Sequence, residues 1–128
     1  MNALNIHVIS DMSIVVTREY LISLLEAWQE NKISANSIYE TASNLFSSKL
    51  IVIDEEGKED NSVTREVLAY LECLDMDFIT QDDIEPCKEF LKTPIGQFDE
   101  GLKKWQNYIA TINHEERVKK LQGQAPYI

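Results

Sequence analysis

Few side chains in this 128-residue chain could do covalent or proton-transfer chemistry. The only imidazoles are His7 and His114, and nucleophilic catalysis would need one of them beside a nucleophile and an orienting group. His7 lies in an apolar stretch, where a hydrogen-bonded structural role is the common one, and His114 follows a helix cap on a polar face. Cys73 falls within a helix. Cys87 comes just after Pro86, near a helix N-terminus that can ease thiol ionisation, so it is the more reactive candidate; a small buried side chain is the commoner role for both. Two cysteines outside any C-x-x-C pair give no disulfide framework, so reduced thiols in a cytoplasmic protein are expected.

Metal-binding patterns fail on spacing. A calcium loop needs glycine at its sixth position and glutamate at its twelfth. Counting from Asp54, Gly57 is fourth, and counting from Asp75, the twelfth residue is Pro86. Asp75-Met76-Asp77 is a D-x-D dipeptide in an acidic chain, and His114-Glu115-Glu116 opens like a zinc-protease motif but has Val118 where the second histidine belongs. None of the four glycines makes a phosphate-binding loop. The residues point to no enzyme, no metal and no cofactor.

Charge carries more information. The formal net charge is -10, from 12 basic and 22 acidic residues, which works against broad contact with nucleic-acid phosphates or anionic lipid and favours a cationic partner. Residues 54–60 hold Asp54, Glu55, Glu56, Glu59 and Asp60 against one lysine, and residues 72–85 hold six acids and no base. The rest of the chain balances, 11 acids against 11 bases. The simpler explanation is two solvated loops that aid solubility. The functional one is a docking surface for a basic protein, with charge speeding encounter; Tyr70 and Phe78 are the nearby aromatic anchors, although such residues are more often core.

The elements that must position these groups are nearly all helical. Thr17 caps a helix with Tyr20, Leu21, Leu24, Leu25 and Trp28 on one face, ending near Asn31. Ser34 caps a second, with Ile38, Ala42, Leu45 and Phe46 on one side. Leu50–Ile53 is either a stub of strand or a buried connector, and the acidic run after it is an exposed loop. Asn61 or Ser62 caps a third helix, whose Val63, Val67, Leu68, Leu71 and Leu74 predict a stripe reaching Met76. Thr80-Gln81-Asp82-Asp83 matches a capping box, predicting one tight turn at 80–84 and a short helix restarting at Pro86. From Thr93-Pro94, the residues Ile95, Phe98, Leu102, Trp105, Ile109 and Ile112 step by three and four, predicting the most regular helix in the chain. Gly96 and Gly101 each cost it about 1 kcal/mol relative to alanine, which suggests frayed first turns or a close neighbour. Asn113 opens a basic final turn, and residues 122–128 read as a tail. Leu4–Ile9 partly alternates, leaving room for a short N-terminal strand. The expectation is therefore one mostly all-α domain, a compact bundle of about five helices. The first 16 residues lack the features of a signal peptide, and no apolar run approaches the ~18 residues of a membrane span.

The run from Thr17 to Trp28, Lys32-Ile33-Ser34, Ile38–Ala42, Val67–Leu74 and Ile79–Ile84 together resembles small helical bacterial immunity proteins. These are paired with contact-dependent growth inhibition toxins and colicin-like toxins. The similarity spans roughly residues 17–93 and is one of helix spacing rather than of a diagnostic motif. It implies a non-enzymatic cytoplasmic protein that binds the toxin domain of its cognate effector, often a nuclease. A nuclease must attract phosphate and is basic around its active site, so an acidic inhibitor complements it. Asp54, Glu55, Glu56, Glu59, Asp60, Tyr70, Asp75, Asp77, Phe78, Asp82, Asp83 and Glu85 are then the candidate partner-binding residues. The alternative is an acidic helical adaptor or regulatory module unrelated to toxins.

Overall fold

A computed structural model describes residues 7–9, 13–48, 51–53 and 62–127. Strand β1 (His7–Ile9) pairs antiparallel with β2 (Ser13–Val16), Val8 facing Ile14, and β3 (Ile51–Ile53) runs parallel on the other side of β2, with Val52 opposite Val15. A parallel pair needs a crossover of a dozen residues or more. The helical hairpin of α1 (Arg18–Gln29) and α2 (Ala35–Ser47) supplies it. The apolar run before residue 54 is thus a strand, fixed by a partner 37 positions away in the register Ile14 to Ile51.

The caps fall where the sequence puts them. The Thr17 hydroxyl accepts from Tyr20 N at 3.0 Å, Ser34 from Ser37 N at 3.1 Å and Ser62 from Arg65 N at 3.1 Å, which starts α3 (Val63–Glu72). Each satisfies one of the N–H groups that a helix start leaves unpaired. Tyr20, Leu21, Leu24, Leu25 and Trp28 are all buried, as are Ile38, Ala42 and Leu45, and Val63, Val67, Leu68 and Leu71. These stripes, with Ile84, Cys87, Phe90 and Leu91 of α5 (Ile84–Leu91), form one core in which α2 packs on α3, and α1 on α5 and α3. The chain is mostly helical and compact, with seven α-helices among the described residues.

Four expectations about the helices need correction. Phe46 is 47% exposed, because its position follows Leu45 by 100° of rotation and leaves the buried stripe. The third helix stops at Glu72; Cys73 caps it, a four-residue α4 (Leu74–Asp77) follows, and Phe78 ends that turn at φ 52. A phenylalanine in the left-handed region is unfavourable on its own, and burial of its ring holds it there. Pro86 is the third residue of α5 rather than its first; the capping turn 81–83 runs straight into the helix, and proline is tolerated because N–H groups of the first turn have no intrahelical acceptor. Ile95, finally, does not join the long helix. Gln97 N bonds Pro94 O at 3.0 Å across a turn with Gly96 at φ 92, so α6 starts later (Phe98–Ala110) and Ile95 is 73% exposed.

Gly101 has the close neighbour its position suggested, since a Cβ there would collide with the Thr93 side chain. Asn113 caps α7 (His114–Leu121) by accepting from Glu116 N at 3.1 Å. The segment after it is not a free tail: the Tyr127 hydroxyl donates to Ile79 O at 2.6 Å, and its ring stacks on Phe78 with centroids 5.5 Å apart.

Candidate functional site

The acidic stretch 72–85 divides into a solvent-facing part and a buried part. In α4, Met76 is 53% exposed and Asp77 is exposed beside it. The half-buried Asp75 accepts from Met76 N at 2.8 Å and lies against Tyr39, whose phenol its negative charge, with burial second, pushes above the ordinary range. Asp82 is exposed on the capping turn, its carboxylate taking no hydrogen bond or ion pair from the described residues. Glu85 is also exposed. It accepts from Gln29 Nε2 at 2.8 Å, and that bond, followed by the charge of Lys88, holds its carboxyl below the usual range. The stretch thus presents Asp77, Asp82 and Glu85 to solvent, with Met76 exposed beside Asp77.

Asp83 is 1% exposed, so of the acids on this stretch it is the one unable to serve as a surface contact. Its carboxylate receives Arg117 Nη1 at 2.7 Å and Nη2 at 3.0 Å, the Tyr108 hydroxyl at 2.6 Å and Thr80 N at 2.9 Å. The last of these completes the capping box foreseen at Thr80. Four donors on two oxygens stabilise a buried carboxylate that would otherwise be costly. Burial lowers the Arg117 affinity for its proton, but the bonds and charge of Asp83 outweigh it and the net displacement is upward. Burial and then Asp83 push the Tyr108 phenol up to about 12.

The two aromatic candidates face inward. Phe78 is 4% exposed between Tyr127 and His114, the latter edge-on at 5.6 Å. Tyr70 is half-buried and meets Trp105 edge-on at 5.0 Å, with burial raising its phenol. Neither projects as an anchor; the exposed apolar residue at the acidic surface is Met76, which charge patterning does not single out. Asp54, Glu55, Glu56, Glu59 and Asp60 lie outside the described residues, as does the side chain of His7.

Arg117 and Tyr127 are the residues that sequence reading missed. The basic character of the last helix was visible, but its pairing with an acid 34 residues earlier was not. Cys87 is 1% exposed and burial opposes ionisation of its thiol, which suits the packing role rather than the reactive one. Among the described residues, no group of three or more His, Cys, Asp or Glu side chains is placed to hold a metal ion, and no helix is long and apolar enough to cross a membrane. What the surface can do chemically is attract and orient a cationic macromolecule. Comparison of the chain with protein-family models, curated proteins and solved structures gives no match.

Proposed function

We propose that this chain is an immunity protein that binds and neutralises a basic toxin domain, most naturally a nuclease. The observation that carries the reading is the exposure of Asp77, Asp82 and Glu85 on the stretch 72–85, with Met76 exposed beside Asp77. The base of that stretch is the capped turn 80–83, so binding would order few side chains beyond those that touch the partner. The concentration of the whole net charge in two segments supports the same reading, as does the resemblance in helix spacing over residues 17–93. Opposite charge would raise the encounter rate and exclude acidic competitors.

Co-expression with the product of the adjacent upstream gene tests the function directly: relief of toxicity supports it, and undiminished toxicity with both proteins soluble counts against it. A finer test uses the variant Asp77→Asn, Asp82→Asn, Glu85→Gln, which omits Asp83 because that carboxylate holds the fold. Association with the toxin domain should slow by about tenfold at low ionic strength, and the difference should shrink as salt shortens the screening length to about 8–10 Å. An unchanged association rate at low salt would remove this surface from the interface.

A further inference from the structure

The contact between the last helix and the acidic turn has the chemistry of a recognition site occupied from within. Arg117 places its planar guanidinium on both oxygens of Asp83, with Nη1 also donating to Phe78 O at 3.1 Å. Ten residues on, Tyr127 lays its ring on Phe78 at an interplanar angle of 11° and bonds Ile79 O. The two side chains fill one socket, a buried carboxylate beside an aromatic face, which is what a protein offers to an arginine-bearing segment.

The strap that delivers them is otherwise lightly held. No residue of α7 is buried. Between it and the body lies a cleft of ≈ 590 Å³, with Glu116, Lys120 and Leu121 on one wall and Trp28, Gln81 and Ile112 facing them. An element held by the rings of His114 and Tyr127 on Phe78 and by the Arg117 guanidinium, with no fully buried residue in its helix, opens locally at lower cost than the core. The socket itself is built without it: Thr80 N and the Tyr108 hydroxyl still bond Asp83, and these belong to the capping turn and α6.

We propose that residues 113–127 are a releasable strap whose Arg117 and Tyr127 occupy a guanidinium-and-aromatic socket at Asp83 and Phe78, and that an arginine-bearing segment of the partner competes for it. The identity of that competitor as part of a basic protein rests on the function proposed above; the socket and its release do not. Opening the strap uncovers a further carboxylate next to the exposed acids, so a basic partner would meet a deeper acidic site than the closed chain presents.

Two measurements without any toxin decide it. In the unaltered chain, amide exchange at Arg117 and Gln122, whose N–H groups bond Asn113 O and Val118 O, should be on the order of 100-fold faster than at Leu24 or Leu68 and insensitive to mild urea. Exchange at the rate of the core would mean that the strap is a fixed part of the fold, and would overturn the proposal. In Arg117→Ala, the lowered thermal midpoint should be partly restored by millimolar acetyl-arginine amide but not by acetyl-lysine amide, which lacks the fork; the unaltered chain should respond to neither. Equal effects of the two compounds, or no recovery, would also overturn it. If Arg117→Ala does not fold, Arg117→Lys replaces it in the same titration with the same outcomes. A toxin that fails to bind would sink the immunity reading and leave these results standing.

Discussion

The helices up to Leu91 and those from Phe98 onward are held together by different physics. In α1, α2, α3 and α5, apolar stripes meet in a common interior, with Leu21, Leu24, Leu25, Leu68, Leu71 and Leu91 at 1% exposure or less. In α6 and α7, Trp105 is the one buried residue. That indole stacks on Phe90 with centroids 4.5 Å apart, Tyr70 meets it edge-on, the half-buried Phe98, Leu102 and Ile109 pack against the same core, and beyond them the attachment passes through Gly101 against Thr93 and through the Asp83 socket. Apolar burial is non-directional and spread over many side chains, so it tolerates exchange of one for another of similar volume. Attachment through a few directional contacts concentrates the stability of a whole layer in a few residues.

The largest expected effect breaks that comparison at its joint. Trp105→Ala removes the only buried side chain of the C-terminal layer and should cost about 3–5 kcal/mol, a large part of an ordinary domain's stability. A loss under about 1 kcal/mol in urea titration would mean that the layer does not depend on this indole.

Gly101→Ala is the next largest. Helix propensity alone predicts a gain of about 1 kcal/mol. The added methyl instead meets Thr93, a buried side chain whose hydroxyl is committed to Phe90 O at 2.6 Å and which cannot swing aside freely. A net loss of about 1–3 kcal/mol is expected, and a stabilised variant would show that Thr93 yields.

The smallest effect sharpens the comparison by isolating the polar contacts. Tyr108→Phe deletes one donor to Asp83, at a cost of about 1–2 kcal/mol because the acceptor is charged. Its pH dependence has a fixed sign. The folded chain raises this phenol from 10.0 to about 12, so its contribution is complete below pH 10 and is lost as pH rises through 12. Tyr70 and Lys88 are raised as well and add losses of the same sign. Thermal midpoints should therefore fall steeply above pH 10, and less steeply in Tyr108→Phe. Parallel alkaline profiles would show that the Tyr108 bond to Asp83 does not shape this titration.

Much of the architecture was legible in the residues themselves. Caps at Thr17, Ser34, Ser62, Thr80 and Asn113 are local chemistry, since a hydroxyl or amide oxygen two or three residues before a free N–H finds it whatever the rest of the chain does. The apolar stripes of α1 and α3 likewise follow from the helical period. Where signals competed, locality failed: Ile95 continues the period of α6 on paper, but the turn at Gly96 intervenes and rotates it into solvent.

The acidic stretch shows the same limit at the site. Composition identified residues 72–85 as the place where charge collects, because counting acids requires no partner. It could not separate Asp82 from its neighbour. One carboxylate faces water and the other is buried beneath Arg117, 34 positions along the chain, with Tyr108 beside it. Whether an aspartate is surface or foundation is decided by which distant donors the packed helices bring within 3 Å of it, and those distances exist only once the chain has closed on itself.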